Sequence, residues 1–217
     1  WNRRPFVDRV EGRVRELSRR DDSLASKLIS ANLQDLFEAS DSELLAELIR
    51  LCEKLQIKLG ANPLLVIAKS ESQDLSARVQ AIQSVQANKT QDASDQLAAL
   101  LKSKHPEIQV AAVGKLSEIE PKTFAARLET SWRTLSLPAQ QTFLIQLGTA
   151  TSARGDEILS DALASLLGGE LSKALELDVV TSAEVRQTPR LKRLVAQYES
   201  RQSAQDLAAS YRSTLVG

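Results

Sequence analysis

The chain has 217 residues, enough to bury a sizeable core as one elongated array or as one or two globular domains. Its 28 Lys+Arg balance 28 Asp+Glu, which excludes a global basic field and argues against a general DNA or RNA binder. Aromatics make up only 4% and Gly only 8 residues, while Ala, Leu, Gln, Ser, Glu and Lys dominate; such helix formers predict an all-α fold.

The sequence starts at Trp1 and contains no Met, so it is expected to be a segment of a longer polypeptide. No apolar run approaches the roughly 20 residues that span a bilayer, so no transmembrane segment is expected. Cys52 is the single cysteine and excludes an internal disulfide. Its neighbours Leu48, Leu51 and Leu55 mark it as a small core residue.

In chain order, Pro5 followed by Phe6, Val10, Val14 and Leu17 predicts a helix over 5–19. A second helix is expected over 23–39, carried by Leu24, Leu28, Leu36 and Phe37. Ser40 with Glu43 has capping-box spacing, and the apolar face from Leu44 to Leu55 predicts a third helix running to Gly60. Pro63 then opens a short apolar helix, Leu64 to Lys69.

A repeat begins at Asp74. DLSARVQAIQSV from Asp74, HPEIQVAAVGKL from His105 and SLPAQQTFLIQL from Ser136 follow one another at 31-residue intervals. Ala77 aligns with Ile108 and Ala139, Ala81 with Ala112 and Phe143, Ile82 with Val113 and Leu144, and Val85 with Leu116 and Leu147. Between these blocks Leu97, Leu128 and Leu159 share one register, and Leu101, Trp132 and Leu163 another. A fixed period of this size signals a repeat array. Twelve residues of helix measure about 18 Å, so two helices and two turns use up each unit. The expected fold is therefore an all-α superhelix, an α-solenoid of paired antiparallel helices. The period extends weakly backwards, with Val66 under Leu97 and Leu44 under Leu75. It fades beyond Gly168-Gly169, where regular stacking is expected to end.

Near the C-terminus, Thr181 and Glu184 have capping-box spacing, but Pro189 follows closely, so Thr188-Pro189 is expected to open the helix carrying Leu191, Leu194, Val195 and Tyr198. Ser203 with Asp206 is expected to start a last helix through Leu207, Tyr211 and Leu215. No linker divides the chain, so residues 1–217 are expected to form one domain: N-terminal helices over 1–39, repeats over 40–170 and C-terminal helices over 171–217.

The paired helices, the Ala-rich second helix and the Pro or Asp at its start resemble HEAT repeats over roughly 40–170. The Arg common inside that helix survives as Arg78 and becomes Gln109 and Gln140, and the turn Asp is present only at Asp74. The resemblance implies a curved scaffold that docks proteins, with Arg78, Gln109 and Gln140 on its concave face, and implies no catalysis. The ending LAASYRSTLVG from Leu207 resembles the segment before the haem-attachment motif in bacterial fusions of a sorbosone/glucose dehydrogenase-like β-propeller, a HEAT-type solenoid and a c-type cytochrome. That implies a periplasmic or secreted linker region in a parent oxidoreductase, with the propeller and haem domains outside this sequence.

No catalytic residue, metal site, cofactor or small-molecule ligand is expected. One His and one Cys in different units cannot form a zinc cluster or a haem-ligation motif. His105 before Pro106 reads as a solvated turn residue. Glu157 with Asp161, and Glu118 with Glu120, read as solvated carboxylates. Gly168-Gly169 reads as a helix cap and not a phosphate loop, and Asn88-Lys89-Thr90 is a chance match to a glycosylation triplet.

Charge is unevenly placed. Arg3, Arg4, Arg9, Arg13, Arg15, Arg19 and Arg20 outnumber Asp8, Glu11 and Glu16 near the start. A second basic cluster comprises Arg186, Arg190, Lys192 and Arg193. Between them, Asp35, Glu38, Asp41, Glu43 and Glu47 form an acidic stretch that can neutralise the first. Arg9, Arg13, Arg190 and Arg193 join Arg78, Gln109 and Gln140 as candidate contacts for other domains of the parent chain or another protein. The rival reading is a nucleic-acid-binding HEAT-like protein resembling DNA glycosylases, which needs the Arg-rich ends to converge on one basic groove.

Overall fold

The computed structural model describes residues 6–7, 14–15, 22–57, 59–85, 91–150 and 152–215. Apart from one two-residue strand pair, the described elements are helical. Phe6–Val7 (β1) lies antiparallel to Val14–Arg15 (β2), with Phe6 opposite Arg15 and Val7 opposite Val14. This corrects the helix expected over 5–19 at those four residues, the rest of that span lying outside the described residues. Val7 and Val14 are β-branched and suit paired strands, and Gly12 weakens any helix between them.

The helix expected over 23–39 is two, α1 (Ser23–Ala31) and α2 (Leu33–Ala39). Asn32 breaks it, at φ −116° and ψ 19°, by turning its side-chain amide back onto the Leu28 carbonyl at 2.9 Å, a local bond that competes with helix continuation. α3 (Ser42–Lys54) is capped by Asp41, whose Oδ1 accepts from the Leu44 N–H at 2.9 Å; Ser40, the expected cap, donates instead to the Leu36 carbonyl. α3 also stops short of Gly60. Gln56 adopts a left-handed φ of 57° and the Ile57 N–H closes onto the Cys52 carbonyl at 2.9 Å.

α4 (Ala61–Lys69) carries Pro63 in its first turn, where the missing N–H would have no helical partner in any case. There follow α5 (Leu75–Ser84), α6 (Gln91–Leu100), α7 (Pro106–Ile119), the short α8 (Phe124–Leu128) with a 3-10 turn at Trp132–Thr134, α9 (Leu137–Thr149) and α10 (Ala153–Gly168). Gly169 ends α10 at a left-handed φ of 75°, the cap its position predicts. α11 (Glu176–Arg186) follows a 3-10 turn at Lys173–Leu175, and α12 runs without a break from Pro189 to Leu215. Ser203 and Asp206 therefore lie within α12. No Gly or Pro follows Pro189 before Gly217, so nothing stops the helix for a cap to restart.

Alternate helices touch. α3 packs on α5, α5 on α7, α7 on α9 and α9 on α11, while α4 meets α6, α8 meets α10 and α10 meets α12. The aligned positions Ala77, Ile108 and Ala139, Ala81, Ala112 and Phe143, and Ile82, Val113 and Leu144 are all fully buried between these two ranks. At the second of them Ala gives way to Phe because α8 is only five residues long. The room this leaves is filled by rings: Phe143 lies 5.3 Å from Phe124 and 5.8 Å from Trp132, centroid to centroid.

Packing does not end at Gly169, as the fading period suggested. α11 lies against α9 so closely that a Cβ at Gly148 would sit 3.1 Å from the Ser182 Cα. The period fades because α10 runs for 16 residues and a 3-10 turn follows it. The next first-rank helix is thereby delayed beyond the 31-residue interval.

Candidate functional site

Arg78, Gln109 and Gln140 share one register, and the structure gives them one structural task. Arg78 is 7% exposed, and its Nε donates to the Ala68 carbonyl at 3.0 Å. The Gln109 amide donates to the Ser103 carbonyl at 2.7 Å, and its oxygen accepts from the Ser136 N–H at 2.8 Å. The Gln140 amide reaches the Arg133 and Leu135 carbonyls at 3.0 and 2.8 Å. Each ties its own helix to the chain that leads into it. A buried carbonyl left without such a donor costs about 1–3 kcal/mol, which explains why a long amide replaces the arginine. Arg78 is thus enclosed and does not line an accessible face; Gln109 and Gln140 are half-buried.

Of the two basic ends, it is the C-terminal one whose candidate contacts fall among the described residues. Arg9 and Arg13 lie outside the described residues. Arg190 is exposed, 4.0 Å from Asp161, and Arg193 is exposed with its Nε on the Pro189 carbonyl at 3.3 Å. Arg186, which the sequence groups with them, is half-buried, with its side chain 8% exposed. It donates to the carbonyls of Leu147 and Ser152 at 2.8 and 2.7 Å, to that of Ala150, and to the Asp156 carboxylate.

The carboxylates are likewise engaged. Glu157 pairs with Arg154, and Glu118 with Lys115 at 2.7 Å. Glu120 accepts two bonds from Arg127, at 2.7 and 3.0 Å. Burial raises the Glu120 pKa, but the hydrogen bonds from Arg127, Ser94 and Thr123 and the Arg127 charge outweigh it and hold the carboxyl below its ordinary value. Burial, with a smaller contribution from Glu53, pushes the Cys52 thiol up. His105 is the half-buried residue before α7, and Asn88-Lys89-Thr90 falls outside the described residues. Among the described residues no group of three or more His, Cys, Asp or Glu could hold a metal ion, and no helix is long and apolar enough to cross a membrane.

The distinctive surface is the outer side of the first rank, which sequence reasoning did not single out. α5 and α9 together carry one charged residue, the buried Arg78. The 31-residue register places Gln83 on α5, Gly114 on α7 and Ile145 on α9 in one line across three adjacent helices. Gln83 is exposed, Ile145 is 52% exposed, and a Cβ at Gly114 would meet nothing within 4 Å. An apolar knob therefore stands beside an open notch, with Pro138 and Thr149 exposed nearby. The signal was present in LPAQQTFLIQLGT, thirteen residues without a charge. Interface centres are similarly depleted in charge.

A cleft of about 230 Å³ between the end of α10 and α12 is lined by Leu167, Lys173, Glu176, Tyr198 and Arg201. Its polar groups are largely committed to one another. Tyr198 donates to Glu176, and Arg201 to the Leu167 carbonyl.

Neither family models nor curated proteins match this chain.

Proposed function

We propose that the chain is a HEAT-like helical-repeat module, continuous over 1–217, that works as a non-catalytic scaffold and docks a protein on the outer face of α5, α7 and α9. The observation that carries this reading is the Gln83, Gly114 and Ile145 line, three uncharged positions with an exposed apolar knob, flanked on α7 by the exposed Glu107 and Glu118. The unbroken series of contacts from α3 through α5, α7 and α9 to α11 supports stacking of 31-residue units, each depending on its neighbours for burial. The ending Leu207 to Gly217 makes neighbouring domains of a dehydrogenase-cytochrome fusion the partners to try first. The nucleic-acid reading has in its favour the exposed basic start of α12, at Arg190, Lys192 and Arg193.

Two experiments test the proposal. Deleting residues 105–135 removes one unit, and a stack should close up into a shorter, cooperatively unfolding helical protein. Collapse to an unfolded chain sinks the repeat reading. Photo-crosslinking from Ile145 and Gln83 in the native host should give one discrete protein adduct that crosslinking from Lys102 does not. Equal capture from all three positions, or salt-dependent DNA binding by the isolated chain, overturns the docking reading.

A further inference from the structure

The two ranks are packed to different degrees. In the first, neighbouring helices from α3 to α11 lie directly against one another. In the second, long side chains bridge each joint. Lys69 of α4 donates to Gln96 of α6 at 2.9 Å, Arg127 of α8 reaches Asp95 of α6 at 2.9 Å, Arg154 of α10 pairs with Glu129 just after α8, and Arg190 of α12 lies 4.0 Å from Asp161 of α10. At three of these joints the backbones come together as well; α6 and α8 are the exception among the described second-rank neighbours. The cause is α8, which has only five residues before the chain passes into turns and the 3-10 segment at Trp132–Thr134.

What spans this gap is a small polar cluster. Arg127 donates its Nε and Nη2 to the Glu120 carboxylate at 2.7 and 3.0 Å and its Nη1 to Asp95. The cluster is graded in its exposure to water. The Arg127 and Glu120 side chains are 22% and 13% exposed, whereas that of Asp95 is 57% exposed. Glu120 and Arg127 therefore hold each other where α7 turns into α8, and the link to α6 faces solvent. An exposed ion pair of this kind shifts an equilibrium by at most about five-fold, and salt screens it. Beneath it Leu97 of α6 and Leu128 of α8 are fully buried, which limits how far the two helices can part.

We propose that the α6–α8 joint is a hinge, latched by the Arg127–Asp95 pair, at which the stack bends with the α5–α7 contact as its pivot. Opening the latch tilts α5 and α6, together with α3 and α4, away from α8, and changes the curvature of the stack without parting the first rank. The inference rests on how the helices stack and is independent of what docks on the Gln83, Gly114 and Ile145 strip.

Double electron–electron resonance on the full chain tests it. One nitroxide pair, at Val66→Cys and Ala164→Cys, spans the second rank from α4 to α10; another, at Gln83→Cys and Thr181→Cys, spans the first from α5 to α11. All four positions are exposed, and Cys52 is buried and stays unlabelled. Asp95→Asn removes the exposed end of the latch and leaves Arg127 on Glu120, so the variant should keep the helical circular dichroism of the parent. In the second-rank pair it should raise a longer-distance population by about two- to five-fold. Salt at 1 M, where charges are screened beyond about 3 Å, should do the same to the parent and add little to Asp95→Asn. Glu129→Gln, at a joint where backbones touch, should leave the second-rank distances unchanged, and the first-rank pair should not respond in any of these cases. Second-rank distances that ignore both Asp95→Asn and salt, an equal response to Glu129→Gln, or equal spreading in the first rank overturns the proposal.

Discussion

Replacing Arg186 with Met keeps the bulk of the side chain and removes its charge and every donor. Arg186 reaches the end of α9, the α9–α10 connection and α10 at once, through the carbonyls of Leu147, Ala150 and Ser152 and the Asp156 carboxylate. Its side chain is 8% exposed and that of Asp156 29%. Hydrogen bonds to a charged group are each worth about 1.5–3 kcal/mol net, but they do not add, since the guanidinium was itself desolvated. Breaking a fully buried pair costs about 3–5 kcal/mol, and partial access of water to Asp156 reduces that. We expect Arg186→Met to destabilise by about 2–4 kcal/mol, measured as the shift of the urea midpoint followed by circular dichroism at 222 nm. Asp156→Asn removes the stranded carboxylate, so in that background the same substitution should cost less by about 1–2 kcal/mol. A loss below about 1 kcal/mol, or the same loss in both backgrounds, would refute the view that this residue anchors α11 to α9 and α10.

Two glycines should respond oppositely to alanine. A Cβ at Gly155 would lie 3.0 Å from the Arg186 Nη1 and 3.5 Å from the Leu147 Cδ2, so Gly155→Ala should lower the unfolding midpoint despite its better helix propensity. Gly114→Ala, with open space around it, should gain about 0.5–1 kcal/mol; equal responses from the two would show that the packing around Arg186 yields freely. Glu120 has a folded pKa below its ordinary value, so its contribution is fully present above about pH 4.5 and lost as pH falls through the folded value. Glu120→Gln should accordingly be less stable than the parent at pH 7 and lose less stability on acidification, and parallel acid titrations of the two would refute this assignment. Cys52 is fully buried with a raised thiol pKa, so a disulfide reagent should label it at the rate of unfolding; rapid labelling in native buffer contradicts the packing of α3.

The repeating blocks were legible because burial follows helical periodicity, and the aligned triplets from Ala77 to Leu147 are the residues that the two ranks enclose. The C-terminal offset was harder to read. Alignment at 31 residues sets Leu175 against Leu144, and Leu175 is indeed buried. But it sits in a 3-10 turn that only leads into α11, and a periodicity count cannot weigh one long helix followed by a turn. At the N-terminus, apolar spacing at Phe6, Val10 and Val14 fits a helix, and periodicity carries no information on the competing β preference of the valines. Arg186 was misplaced for a different reason. Composition groups it with Arg190 and Arg193 by proximity, whereas the chain turns at Gln187, at a left-handed φ of 54°, and leaves Arg186 at the end of α11 with Arg190 and Arg193 on α12.

The same sorting explains how a chain of zero net charge can present a neutral surface. Among the described residues, Arg127, Arg133 and Arg154 reach between successive second-rank segments. Arg127 spans Glu120 and Asp95, and Arg154 spans Glu129 and Glu157. Arg133 crosses to the Ser165 hydroxyl at 3.0 Å while lying over the Trp132 ring. Some first-rank links are uncharged, Ser117 to the Gln146 side chain at 3.1 Å and Gln141 to the Ala174 carbonyl at 3.3 Å, while Arg186 joins α11 to α9 and Gln80 of α5 donates to the Glu53 carboxylate of α3 at 3.3 Å. Exposed ion pairs add little stability each, so their placement matters more for what they leave bare. A partner that meets the Gln83, Gly114 and Ile145 strip displaces water from amides, a glycine and an isoleucine, and the exposed charge beside it is that of Glu107 and Glu118 on α7. Its association should therefore vary less with salt than that of a partner held by ion pairs.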